Sequence, residues 1–216
     1  LSNGLIDLGN GSDKLTLGDF ANTATMQNVE TVIGGSDADT IAIATTASNA
    51  SIDLGAGADK LTLSNSANKV SVSHVETLVG GMDADTVVFG AVLSNASIDL
   101  GASNDVMTLG DFANVATIAN VESVTGGSAA DTITVGAQAN SIYLDLGTGT
   151  DAVTLGNFVN VASFANVESV TGGSAADTVT LTTALTTSGS IDLGSGSDKL
   201  ILSVVSNTGF VPDLET

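Results

Sequence analysis

The string Ile-Asp-Leu-Gly begins at Ile6, Ile52 and Ile98, returns as Leu-Asp-Leu-Gly at Leu144, and recurs as Ile-Asp-Leu-Gly at Ile191. The spacings are 46, 46, 46 and 47 residues. A second string, Gly-Gly-x-x-Ala-Asp-Thr, begins at Gly34, Gly80, Gly126 and Gly172. Glu30, Glu76, Glu122 and Glu168 recur at the same period. Four copies and part of a fifth fill nearly all 216 residues. A chain of this kind folds as an array, each unit burying its apolar side against its neighbours.

The two strings share a frame. Set side by side, Leu8-Gly9-Asn10-Gly11-Ser12-Asp13-Lys14-Leu15 and Gly34-Gly35-Ser36-Asp37-Ala38-Asp39-Thr40-Ile41 both carry Gly second, Asp sixth and an aliphatic residue eighth. The sixth-position residues are Asp13, Asp39, Asp59, Asp85, Asp105, Asp131, Asp151, Asp177 and Asp198, spaced alternately 26 and 20 until a final 21. After each comes period-two alternation such as Lys14-Leu15-Thr16-Leu17, the mark of a strand with one buried face. No stretch shows a helical period. The expected fold is all-β: a parallel β-solenoid (right-handed β-helix or β-roll) of 46-residue repeats, two coils per repeat averaging 23 residues. That arrangement lines nine Asp turns along one edge. The competing one places alternate turns on opposite edges, with one 46-residue coil per rung. Residues 1–205 form a single solenoid of about four and a half repeats, and 206–216, with Pro212, a cap or linker.

The turns resemble the G-G-x-G-x-D-x-U-x nonapeptide of the repeat-in-toxin (hemolysin-type) proteins, whose repeats form a Ca²⁺-binding parallel β-roll. The resemblance implies several Ca²⁺ ions between successive turns, held by the nine Asp carboxylates and by turn carbonyls. Those turn positions are Gly9, Gly11, Gly35, Asp37, Gly55, Gly57, Gly81, Asp83, Gly101, Gly127, Gly147, Gly149, Gly173, Gly194 and Gly196. It also implies bacterial type I secretion and a place in adhesins, surface layers or toxins. The first Gly of the motif is replaced by Leu8, Leu54, Leu100, Leu146 and Leu193. The fourth is replaced by Ser103, Asp37, Asp83, Ala129 and Ala175. Two nonapeptides make about 18 residues, so coils of 23 suggest a long-coil variant.

Charge supports a cation independently. The chain has 24 Asp and Glu against four Lys, a net charge of −20. Carboxylates stacked about 4.8 Å apart repel by about 3–4 kcal/mol per pair at an effective dielectric near 20. Nine turns in one stack leave eight gaps, and one Ca²⁺ in each would supply 8 × 2 = +16. Ca²⁺ accepts 6–8 oxygens in flexible geometry, whereas Mg²⁺ demands a strict octahedron. The usual Cys ligands of zinc are missing and there is one His. A Cβ at the fourth turn position opposes positive φ, so the turns of Asp131 and Asp177, with Ala129 and Ala175, are expected to bind more weakly.

The same composition excludes other classes. Phosphate binding needs Lys and Arg, so nucleic acid and anionic membrane surfaces are not expected partners. No apolar run approaches the roughly 20 residues of a spanning helix. A single His, His74, leaves no nucleophilic triad, and identical carboxylate copies suit structure better than catalysis, so no enzyme activity or small-molecule substrate is expected. High acidity suggests disorder, but disordered acidic chains are poor in apolar residues, and this one is 43% hydrophobic. With no initiator Met or signal peptide at Leu1 the sequence reads as a mature fragment or excised segment.

Lesser repeats have structural readings. Glu30 and its equivalents suit a solvated or backbone-capping role, and Asp7, Asp53, Asp99, Asp145 and Asp192 face water. Asn28, Asn120 and Asn166, with His74, suggest a side-chain ladder at a bend. Phe20, Phe112 and Phe158 suggest an apolar plug. The functional expectation is a calcium-binding repeat module of a secreted or cell-surface protein (adhesin, sheath or surface-layer type) that folds on extracellular Ca²⁺. The alternatives are a filament subunit associating end to end and, as a minor reading, an ice- or surface-binding face with Thr16, Thr62, Thr108 and Thr154 in one row.

Overall fold

In a computed structural model, which describes residues 1–212, the chain is a parallel β-solenoid of about ten coils. Twenty-two strands run from β1 (Gly4–Asp7) to β22 (Lys199–Ile201) and alternate between two 11-stranded parallel sheets, the odd-numbered in one and the even-numbered in the other. Inward side chains of both sheets form one thin core, from Ile41, Ile52 and Leu61 to Ile133 and Val179, with Phe164 among the largest fully buried groups. Small and β-branched residues suffice because only two facing layers must interlock.

The coil is shorter than the two-per-repeat expectation. Stacked partners lie 17, 20 or 21 residues apart, as in Thr23↔Thr40, Gly4↔Ala24 and Thr171↔Asp192. One repeat contributes five strands: β1, β2 (Lys14–Thr16), β3 (Thr23–Gln27), β4 (Thr31–Gly35) and β5 (Thr40–Ile43), before β6 (Ser48–Gly55) opens the next. Five strands at two per coil make two and a half coils. Ile6 therefore lies in the odd sheet, Ile52 in the even, Ile98 in the odd and Leu144 in the even. Each repeat therefore has five corners, the two Gly-Asp turns from which two coils are expected and three more, without Gly-Asp, at Asn22, Glu30 and Ala47. The long-coil description falls with that expectation, since these coils sit close to two nonapeptides in length.

An odd number of strands also distributes the Asp turns over both edges, not along one. Asp39, Asp59, Asp131 and Asp151 occupy the even-to-odd edge; Asp13, Asp85, Asp105, Asp177 and Asp198 occupy the other. On each edge they come as neighbours on consecutive coils: Asp39 with Asp59, Asp85 with Asp105, Asp131 with Asp151, and Asp177 with Asp198. Eight stacked gaps become four. Thr16 and Thr108 likewise separate from Thr62 and Thr154 onto opposite sheets, so that hydroxyl row does not exist.

Glycine serves two purposes. In the Leu-Gly-x-Gly turns Gly55 and Gly57 have φ of +87° and +148°. The Gly-Gly turns take no positive φ at Gly35, Asp37, Asp83, Ala129 or Ala175 among the described residues, so the expected weakening at Ala129 and Ala175 loses its basis. Gly34 and Gly35 are required by packing instead. A Cβ on Gly34 would lie 2.0 Å from the Leu54 carbonyl oxygen, and one on Gly35 2.6 Å from that of Gly18.

Of the segment 206–216, residues 213–216 lie outside the described residues. The rest continues the stack: Phe210 bridges Ser190, and the Thr208 N–H donates to the Leu185 carbonyl at 2.9 Å.

Candidate functional site: the acidic corner ladders

At the Asn, Asp and Glu corners the side chain accepts a backbone N–H from the coil before. On the even-to-odd edge the Asn22 backbone N–H donates to Asp39 Oδ1 (2.8 Å), the Asp39 N–H to Asp59 Oδ1 (2.6 Å), and the Asp59 N–H to Glu76 Oε2 (2.7 Å). The other edge repeats this half a coil out of step: Asn68 to Asp85 (2.8 Å), Asp85 to Asp105 (2.7 Å), Asp105 to Glu122 (2.8 Å). Asn114–Asp131–Asp151–Glu168 follows on the first edge, and Asn160–Asp177–Asp198 on the second. The runs that begin at Asn22, Asn68 and Asn114 thus read Asn, Asp, Asp, Glu, and that from Asn160 reads Asn, Asp, Asp among the described residues.

The first member shows what a satisfied corner looks like. Asn114 Oδ1 accepts the Leu93 N–H at 3.0 Å. Its Nδ2 donates to the carbonyls of Gly110 (3.1 Å) and Phe112 (2.7 Å) in its own turn and to Asp131 Oδ1 (2.9 Å). An Asp in a corner keeps the Oδ1 contact but substitutes an oxygen, which carries no hydrogen, for the donating nitrogen. Oδ2 of Asp13, Asp39, Asp59, Asp105, Asp131, Asp151 and Asp177 is accordingly buried with no partner, while Asp85 Oδ2 accepts the Gly81 N–H at 3.3 Å. A buried carboxylate oxygen with nothing to bind costs free energy until a proton or a metal reaches it.

Burial acts on the second Asp of the run. It pushes the carboxyl groups of Asp105 and Asp151 up to about 6 and raises that of Asp59; the N–H donated by the preceding Asp opposes the shift, and the neighbouring Glu and Asp carboxylates add to it. The negative charge is concentrated at these edges. All four Lys lie in strands, and among the described residues the acidic ones other than Asp7, Asp53, Asp99, Asp145 and Asp192 lie at corners.

The remaining repeat residues build the edges. Glu30 and its equivalents cap backbone: Glu30 Oε2 accepts the Asp13 N–H at 2.8 Å. Asn28, His74, Asn120 and Asn166 do not stack on one another, because their 46-residue period alternates edges. Each takes a φ of 51–53° and bonds at 2.7 Å the outward Asp one coil earlier: Asp7, Asp53, Asp99 and Asp145. Phe20, Phe112 and Phe158 plug nothing; they are 72%, 43% and 43% exposed. The corner's interior is taken by Asn22, Asn114 and Asn160, two residues further on. These Asn residues, with Asn68, were the functional positions the sequence reading missed. Their signal was the Asn set nine residues after Asp13, Asp59, Asp105 and Asp151.

Fold and corners together define a parallel β-solenoid with acidic edge ladders. No family model matches the chain, and neither a curated protein nor a solved structure does.

Proposed function

We propose that the chain is a calcium-binding structural module, a rod within a secreted or cell-surface protein of the adhesin, sheath or surface-layer type. The observation that carries this reading is the set of buried Oδ2 atoms without partners, grouped on consecutive coils. Such an oxygen calls for a proton or a cation, and the ligands that carboxylates and turn carbonyls supply are hard oxygens, which suit Ca²⁺. The pairs Asp39/Asp59, Asp85/Asp105, Asp131/Asp151 and Asp177/Asp198 would hold the ions, with carbonyls of the Leu-Gly-x-Gly and Gly-Gly turns as further ligands. Bound Ca²⁺ would supply the positive charge these oxygens lack; four ions give 4 × 2 = +8 against −20.

The role is structural, not catalytic. Unscreened edges would weaken the fold where calcium is scarce, which suits passage through a type I exporter, and millimolar extracellular calcium would then favour the folded rod. Thermal melting followed by circular dichroism, in EDTA and in millimolar CaCl₂ or MgCl₂, tests this. A site held at 100 times its Kd contributes about 2.7 kcal/mol, which at this chain length raises Tm by about 5–10 °C. Identical melting in EDTA and calcium defeats the proposal.

A further inference from the structure

We propose that Asn22, Asn68, Asn114 and Asn160 are positioning residues that restrict each corner run to a single cation site, between its two Asp coils. The inference rests on the calcium reading and concerns how the chain limits it.

Each Asn acts in two directions. Towards the next coil, its backbone N–H and its Nδ2 both donate to Oδ1 of the first Asp, at 3.0 and 2.9 Å for Asn114 on Asp131 and at 2.8 and 2.9 Å for Asn68 on Asp85. Two donors on one oxygen fix the carboxylate's rotation and leave Oδ2 without a partner in Asp131, whereas in Asp85 it accepts the Gly81 N–H at 3.3 Å. Towards its own turn, Nδ2 occupies the carbonyls of Gly110 and Phe112. The gap between an Asn coil and an Asp coil is therefore lined by N–H groups, which repel a cation.

The far end is closed differently. Glu168 Oε2 accepts the Asp151 N–H at 2.9 Å, and the corner after each Glu is an apolar one, such as Ala47, Leu93 or Leu185. Carboxylates flank the Asp–Glu gap as well, but only in the gaps Asp39/Asp59, Asp85/Asp105 and Asp131/Asp151 are both of them buried. Because the repeat spans two and a half coils, successive sites fall on opposite edges, one after each of Asn22, Asn68, Asn114 and Asn160.

The test is a count of calcium per chain by equilibrium dialysis on the wild type, Asn114→Asp and Asn114→Ala. Asn114→Asp replaces the donating nitrogen with an oxygen and makes a run of three Asp, so it should bind one ion more than the wild type. Asn114→Ala removes the same amide without adding a ligand and should gain none. Asn68→Asp repeats the experiment on the other edge should Asn114→Asp fail to fold. A purely structural Asn would make both variants less stable and give neither an extra ion. A folded Asn114→Asp or Asn68→Asp with the wild-type count overturns the inference, as does a wild type binding eight or nine ions, which leaves the calcium reading standing. A wild type that binds no calcium removes that reading and this inference with it.

Discussion

The backbone N–H of Asp131 donates to Oδ1 of Asp151, one coil further on, at 2.7 Å, while Oδ2 of the same Asp151 is buried with no partner. One carboxylate therefore carries both a structural bond and an unmet need. Substitution separates them. Asp151→Ala strands the Asp131 N–H and should cost about 1–3 kcal/mol. Asp151→Asn keeps the acceptor and adds the donor that Asn114 uses, so in EDTA it should stabilise by about 1 kcal/mol while losing the calcium response of its pair. Urea midpoints in EDTA read the difference. Equal destabilisation by both variants would contradict the ladder account.

Acid should help the calcium-free protein. The carboxyl groups of Asp105 and Asp151 are raised to about 6, from 3.8, chiefly by burial. The folded chain binds these protons more tightly than the unfolded one. Their stabilising contribution is thus full below about pH 4 and is lost as pH rises through about 6. In EDTA the urea midpoint should be higher near pH 5 than near pH 7.5. With calcium the advantage should shrink or reverse, because protons and Ca²⁺ compete for the same oxygens. A midpoint in EDTA that falls on acidification over this range would count against the burial of these groups.

A cavity of about 60 Å³, lined in part by Ile118, Val121, Val135, Ala139 and Ile142, marks a corner where the ladder is interrupted between Glu122 and Ala139. Two equivalent corners hold larger pairs, Phe89 with Leu93 and Leu181 with Leu185, and the third holds Ile43 with Ala47. Ala139→Leu should fill the space and stabilise by about 1 kcal/mol. Differential scanning calorimetry would show a raised Tm; a lowered one would mean that the corner is already full.

Gly80 has no room for any side chain, since a Cβ would lie 2.2 Å from the Leu100 carbonyl oxygen. Backbone from the next coil cannot step aside as a side chain can. Gly80→Ala should cost about 3 kcal/mol or more, with loss of soluble protein as its practical sign. Gly4→Ala, with open space around the position, is the matched control and should fold normally.

The solenoid was legible from Ile6, Ile52, Ile98, Leu144 and Ile191, because alternation of apolar residues reports strands and a fixed period reports stacking. The coil length was not, because three of the five corners in each repeat carry no Gly-Asp signature. At Asn22 the turn is made by an inward amide, at Glu30 by a carboxylate reaching the previous coil, and at Ala47 by a small apolar residue. Counting only Gly-Asp turns gave two coils where there are two and a half. The same miscount placed nine Asp on one edge. Asp39, Asp85 and Asp131 stood out by their place in the repeat and are buried at corners, but their partners depend on which coil lies next, and that follows from the odd number of strands. Phe20 is exposed because the corner's interior is taken by Asn22, a polar residue whose recurrence nine residues after Asp13 marks the position but not its burial.

The most direct test of the account is a crystal structure of the chain grown in terbium or calcium, with the metal located by anomalous scattering. The account predicts ions between Asp39 and Asp59, Asp85 and Asp105, Asp131 and Asp151, and Asp177 and Asp198, alternating between the two edges, and none beside Asn22, Asn68, Asn114 or Asn160. Well-ordered Asp pairs without metal at millimolar concentration would contradict it.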